Sequence, residues 1–159
     1  MVKQQAADAV DTALLRALIA SPDATNVAIA ASTGLARNTV RARLARYSDQ
    51  ATLRSFERRI DPSFLGYPIN AYILTKVKQR KLSSIGEALS GIPEVLEVQG
   101  LSGIYDLLVL VAARNADDLY RIAGRVLSVK GVKRTDTGLV MRELVRYRVD
   151  QLLTKGRCS

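Results

Sequence analysis

Histidine is absent from the 159-residue chain, and the one cysteine, Cys158, is next to last. An internal disulfide is therefore excluded, as is a zinc site of the usual Cys/His kind. Nucleophilic catalysis through a Ser–His or Cys–His pair falls on the same ground. Proline occupies 4 positions and apolar residues make up 48%, a composition that excludes disorder as the main state. Long apolar runs are missing too: the longest uncharged one, residues 107–113, is far too short to span a bilayer. Residues 3–11 are polar and acidic where a signal peptide would carry its apolar core. One cysteine and no export signal point to a reducing cytoplasm, with Cys158 read as an incidental thiol.

Acids are outnumbered: 15 Asp and Glu face 24 Lys and Arg, giving a net charge of +9. A polyanion is the usual counterpart of such a balance, and nucleic acid the first candidate. The excess is +4 over residues 1–60 and +5 over residues 61–159. Within the first part, Arg37, Arg41, Arg43 and Arg46 fall in a window free of acids, and Arg54, Arg58 and Arg59 follow. A solvated helix face is the alternative reading of such a run.

Three short helices account for the first segment. Asp8 and Asp11 stand as N-cap and N3 acid of a helix carrying Val10, Leu14, Leu15 and Leu18, ended by Ser21-Pro22. Thr25 or Asn26 caps a second helix, with Val27, Ile29 and Ala30 inward and Gly34 at its end. A third runs over about residues 36–48, its stripe being Val40, Leu44 and Tyr47. Ala30, Gly34, Leu35 and Val40 fit a helix-turn-helix, in which Gly tolerates the left-handed turn. An ordinary helical hairpin fits as well. At 100° per residue, Asn38, Ala42 and Ala45 lie nearly opposite Val40, flanked by Thr39, Arg41 and Arg46. Small residues let such a face sit deep in a major groove, where Asn and Arg pair with base edges. Arg37 opens the helix within reach of a phosphate or a base, and Arg43, nearer the core, suits the backbone or an acidic neighbour.

The second segment has another rhythm. Residues 53–60 read as an extended, Arg-rich connector, and Asp61-Pro62 begins a hinge through Tyr67-Pro68. A strand follows over 69–78, with Ile69, Ala71, Ile73 and Val77 on one face. Ser84 and Glu87 form a capping box for a short helix with Ile85 and Leu89, closed by Gly91 and Pro93. Strands over 95–101 and 106–113 come next, joined by a turn at Ser102-Gly103; the second is apolar throughout, hence central. Asn115 caps a helix with Leu119, Ile122, Val126 and Leu127 inward. Gly131 ends it, and residues 132–144 supply a last long strand. The order βαββαβ is the split, ferredoxin-like arrangement. Helices cover one face of such a sheet, and the apolar side chains of the other favour self-association.

Taken together, these features resemble the Lrp/AsnC, or feast/famine, family of transcription regulators over residues 8–152. The resemblance is carried by Asp8-Ala-Val-Asp11 with Leu14-Leu15 and Leu18, and by residues 26–30 with Thr33-Gly34-Leu35. Val40-Arg-Ala-Arg43-Leu44, Ile60-Asp61-Pro62 and Gly103-Ile-Tyr-Asp106 complete it. It implies an α+β chain with a winged, three-helix helix-turn-helix in residues 1–52 and a connector strand and hinge in 53–68. Residues 69–159 would then be a ferredoxin-like ligand-sensing and oligomerisation domain. It implies duplex DNA as partner, contacted by Arg37, Asn38, Thr39, Arg41, Ala42, Arg43 and Arg46, with Arg54, Arg58 and Arg59 on the backbone.

An amino-acid effector is implied at Ser102, Gly103, Ile104, Tyr105 and Asp106, near Thr135, Asp136 and Thr137. A turn with free N–H groups suits its carboxylate, and Asp106 its ammonium. The family further implies homodimers that assemble to higher oligomers, up to octamers, associated with the nucleoid, with no membrane contact, cofactor, metal or enzymatic activity. Departures are Ala36 where a capping Ser is common, Gln50-Ala51 where Gly is favoured, and Ile104 where an acid is common. The last leaves a bulkier apolar ligand open, or none, as in an effector-independent architectural protein. A decarboxylase of the haem-pathway kind needs acid–base residues that a chain without His does not match by His. RNA binding on the sheet would need aromatics beyond Tyr72.

Overall fold

The computed structural model describes residues 7–153; Cys158 and the start of the 3–11 stretch lie outside them. The helices are α1 (Ala9–Ala20), α2 (Asn26–Thr33), α3 (Arg37–Asp49), α4 (Leu82–Ser90) and α5 (Ala116–Ser128). The strands are β1 (Ile69–Val77), β2 (Val95–Gly100), β3 (Leu107–Ala113) and β4 (Val132–Leu139). The described residues divide into two compact units, 7–55 with 145–153, and 56–144.

In the helical unit the start of α1 is set locally. The Asp11 amide donates to Asp8 Oδ1 at 2.8 Å and the Asp8 amide to Asp11 Oδ2 at 3.1 Å, a reciprocal capping box. Thr25 caps α2 by accepting from the Ala28 amide, and Gly34 turns the chain at φ +71°. Leu14, Ile29, Ala30, Val40 and Tyr47 form the buried centre, with Leu15, Leu18, Leu35 and Leu44 packed against it. Each large member contributes about 1.5–3 kcal/mol by burial. Val27 has the helical spacing of a core residue but stands half exposed, because no facing element covers it.

Helix α3 ends in a left-handed turn. The Thr52 amide donates to the Tyr47 carbonyl at 2.9 Å and the Ala51 amide to that of Ser48 at 3.3 Å, with Ala51 at φ +50°. This is a Schellman ending with alanine in the place that usually takes glycine.

The connector is not a strand. Two 3-10 turns, Phe56–Arg59 and Pro62–Leu65, replace the extended reading, and no strand or wing forms among the described residues of the helical unit. Pro62 has the fixed φ that opens such a turn, and the Asp61 carboxylate caps it by accepting from the Ser63 amide. The reading of residues 53–68 as connector strand gives way to this local chemistry. Residues 145–153 group with the helices instead of the sheet. Arg16 Nη2 donates to the Leu153 carbonyl at 2.7 Å, and the Arg54 guanidinium lies 5.6 Å from the Tyr147 ring centre.

The second unit is an antiparallel sheet in the order β2-β3-β1-β4. Ile85 and Leu89 of α4 and Ile122 and Val126 of α5 cover one face. They meet Ala71, Ile73, Val77, Val109 and Val111 in a single core. Tyr72, Leu74, Leu108 and Leu110 alternate with these and occupy the other face, which is less buried.

Three expectations need correction here. Helix α4 begins at Leu82, directly after a 3-10 turn over Gln79–Lys81, so Ser84 lies inside it. The Ser84 hydroxyl donates to the Lys81 carbonyl, and no Ser84–Glu87 capping box forms. Leu127 keeps helical spacing but is half exposed on α5. Strand β4 stops at Leu139, well short of 144: its pairing with β1 ends at Ala71, and one further bond joins the Val140 amide to the Asn70 carbonyl.

Candidate nucleic-acid interface and effector loop

Val40 and Tyr47 seat α3 in the core, which turns Asn38, Ala42 and Ala45 outward together with Arg37 and Arg41. Neither of these two arginines has an acidic partner among the described residues. Thr39 is half buried, and Ala36 gives α3 no side-chain cap.

Arg43 and Arg46 point elsewhere. Arg43 Nη1 lies 2.7 Å from both Asp8 Oδ2 and Asp11 Oδ1, and Arg46 Nη2 is 2.7 Å from the same Asp11 oxygen. The Tyr47 hydroxyl donates to that oxygen at 2.6 Å. Burial raises the Asp11 pKa, but the Tyr47 hydroxyl, the Asp8 amide and Arg43 outweigh it and hold the carboxyl at about 2. Burial, then the facing carboxylate, pushes the Tyr47 phenol upward. Two of the four arginines on α3 thus fix its position. Asp11 reads locally as a helix cap; the signal for its second role was the spacing of Arg43 and Arg46 on one side of α3.

The connector arginines are also engaged. Arg54 stacks on Tyr147, Arg58 Nη2 pairs with Glu97 Oε1 at 2.7 Å, and Arg59 lies over Phe56, 5.7 Å from its centre.

The loop after β2 carries Gly103 at φ +123° and presents Ile104 80% exposed, beside exposed Ser102. Asp106 is 5% exposed and faces inward. Its Oδ2 accepts from the Val77 amide at 2.8 Å, and its Oδ1 from Gln79 Nε2 at 2.7 Å, with Lys76 Nζ at 3.5 Å. The Val77 bond leads in holding its pKa below the ordinary carboxylate range, against the effect of burial. The Leu101 amide donates to the Asp106 carbonyl and the Asp106 amide to that of Thr75, so the loop is tied to β1.

The Tyr105 hydroxyl donates to Asp136 Oδ2 at 2.5 Å, and Arg134 sits 3.1 Å from the same carboxylate. That bond pushes the Tyr105 phenol upward and lowers Asp136. Thr135 and Thr137 pair with Thr75 and Ile73, on the helix-covered side of the sheet. Tyr105 and Asp136 therefore come together, while Thr135 and Thr137 lie on the opposite face. Among the described residues no group of three or more acids, histidines or cysteines could hold a metal ion. No helix there is long and apolar enough to cross a membrane.

A helix-turn-helix joined to a βαββαβ unit defines a two-domain, DNA-binding transcriptional regulator. Residues 8–47 match the AsnC-type helix-turn-helix domain and residues 70–150 the Lrp/AsnC ligand binding domain, and the chain belongs to the Lrp/AsnC family. It is similar to the HTH-type transcriptional regulator FL11 of Pyrococcus horikoshii, with 32% identity over 135 residues, 85% of this chain and 89% of that one. FL11 of Pyrococcus furiosus is 36% identical over 110 residues, 69% of this chain and 73% of its own. E. coli AsnC superposes with a TM-score of 0.79 at 20% identity, covering 92% of this chain and 99% of that chain. A feast or famine regulatory protein from M. tuberculosis, solved in complex with L-methionine, gives 0.78 at 24% identity over 90% and 97%. These structural likenesses establish the fold.

Proposed function

We propose that the protein binds DNA as a homodimer, placing α3 of each copy in successive major grooves of a palindromic site. Arg37, Asn38 and Arg41 read base edges, and Ala42 and Ala45 allow close approach. The observation that carries this is the outward face of α3, cationic over residues 37–46 with Asp49 at its far end, on a helix whose inner side is locked to Asp8 and Asp11. The apolar side chains Tyr72, Leu74, Leu108 and Leu110 on the uncovered sheet face support self-association. Assembly to higher oligomers and a cytoplasmic, nucleoid-associated location belong to the same reading, which membership of the family supports.

A small ligand, an amino acid or a close relative, binds at the 102–106 loop and shifts assembly or DNA affinity. The L-methionine complex of the M. tuberculosis relative supports this class of ligand. Exposed Ile104 offers it an apolar contact. Asp106, already bonded from two sides, holds the loop from behind. Such a ligand acts only if it prefers one assembly over another.

Titration of Arg41→Ala with operator and random duplexes tests the reading role. Loss of about 1–3 kcal/mol on the operator alone is expected; equal, unchanged binding to both removes α3 from it. A thermal-shift screen of the twenty amino acids with sizing in parallel tests the sensing role. The filled coordination of Asp106 favours one rival, an effector-independent architectural protein, and a screen with no stabilisation and no change of assembly selects it.

A further inference from the structure

One end of the effector sheet gathers cations from two distant stretches of sequence. Beyond β1 the chain runs through Lys78, Arg80 and Lys81 into α4, and Lys130 precedes β4. The Lys78 amide donates to the Gly131 carbonyl at 2.9 Å, which joins the two stretches. The ladder slips between Lys76 and Val77: Lys76 opposes Arg134, Val77 opposes Val132, and Lys133 is left as the extra, bulged residue. Two cations at this end are matched, Lys76 by Asp106 at 3.5 Å and Arg134 by Asp136 at 3.1 Å. Lys78, Arg80, Lys81, Lys130 and Lys133 have no ion pair among the described residues, and all but Lys81 are exposed. Residues 77–86 and 128–135 contain no acid.

The same unit treats arginines with a purely structural role differently. Arg114, Arg121 and Arg125, in and beside α5, are all matched by Asp118 and Glu94. Five unmatched cations at one sheet end repel one another, and a merely solvated surface mixes both signs. Four of the five are lysines, point charges that suit a phosphate backbone more than planar, bidentate base reading. The polyanion most available to them is the duplex that this DNA-binding chain already holds, since a tethered second contact meets its partner at high effective concentration.

We propose that Lys78, Arg80, Lys81, Lys130 and Lys133 form a second DNA-contacting surface, which holds the phosphate backbone beyond the operator without reading sequence. The inference rests on DNA binding by this chain, and not on α3 being the reading element.

The test is the full-length triple variant Lys78→Gln/Lys130→Gln/Lys133→Gln, titrated over a range of salt. One duplex carries a single operator, and a second extends it by several helical turns. The wild type gains affinity with length. In the variant that gain is lost, about tenfold on the long duplex, and the salt slope falls by about 2–3 for each bound chain. The operator-to-random ratio stays as it was, and the matching triple Lys→Arg variant restores the gain. A variant with unchanged melting and sizing, and with wild-type slope and affinity on the long duplex, overturns the proposal. Arg41→Ala run alongside lowers the operator-to-random ratio at both lengths, so failure of the reading helix and failure of this surface are told apart.

Discussion

The hydroxyl of Tyr47 donates to the carboxylate of Asp11 across 2.6 Å, joining the last turns of α3 to the first turn of α1. Since Arg43 and Arg46 meet the same oxygen, one buried carboxylate sets the seating of α3. Tyr47→Phe is expected to destabilise the helical unit by about 1–2 kcal/mol through the lost bond. Asp11→Asn leaves Arg46 without its counter-charge and Arg43 with Asp8 alone, and is expected to cost about 3 kcal/mol. In a double-mutant cycle followed by denaturant melting, the two losses combine to less than their sum. Simple additivity would show that the residues act independently.

Acid should loosen this seating within a defined window. The Asp11 carboxyl titrates at about 2 in the folded chain and near 3.9 when unfolded. Its folded pKa is the lower one, so its contribution is complete above about pH 4 and disappears as pH falls toward 2. Tyr47 has the opposite sign: its phenol is raised, so its contribution holds below about pH 10 and fades as pH climbs beyond. Melting of the wild type and Tyr47→Phe across pH 2–12, followed by circular dichroism, checks both limbs. In Tyr47→Phe the alkaline decline traceable to this residue should vanish.

Ala51→Gly is expected to stabilise the chain by about 1 kcal/mol, because alanine is held at φ +50° in the turn that ends α3. The gain appears as a higher denaturant midpoint at constant slope. A midpoint that falls would mean that the Ala51 side chain makes a contact worth more than the backbone strain.

Asp106→Asn should lower the melting temperature with no ligand present. An amide cannot accept on both sides: to keep the Val77 bond it must turn its NH2 toward Gln79, whose own amide then has to flip, and Lys76 loses its counter-charge. Unchanged melting together with lost effector response would instead make Asp106 a direct ligand contact.

Features written within a few residues were legible in the sequence. The Asp8–Asp11 box, the Thr25 and Asn115 caps, the Gly34 turn and the apolar run of β3 all form as the local pattern demands. Several of the failures depended on partners far along the chain. Val27 and Leu127 keep the helical rhythm but meet no facing element, and β4 ends where β1 ceases to pair with it. The capping box at Ser84 and Glu87 was a correct motif in the wrong frame, since the preceding 3-10 turn starts α4 earlier.

In the candidate sites the outward residues of α3 were readable from 100° steps. The capture of Arg46 by Asp11, 35 residues away, was not. Nor was the crowding of five cations at one sheet end. Composition shows a diffuse excess over residues 61–159, and the pairing of β1 with β4 concentrates it.

Residues 145–153 complete the helical unit, although the whole of residues 56–144 separates them from α3. A ribosome therefore delivers every strand of the sheet before it delivers the segment that Arg16 and Arg54 hold. The sheet can close while the DNA-binding half still waits for its last piece. During synthesis the sheet unit is thus complete before residues 145–153 can join the helices.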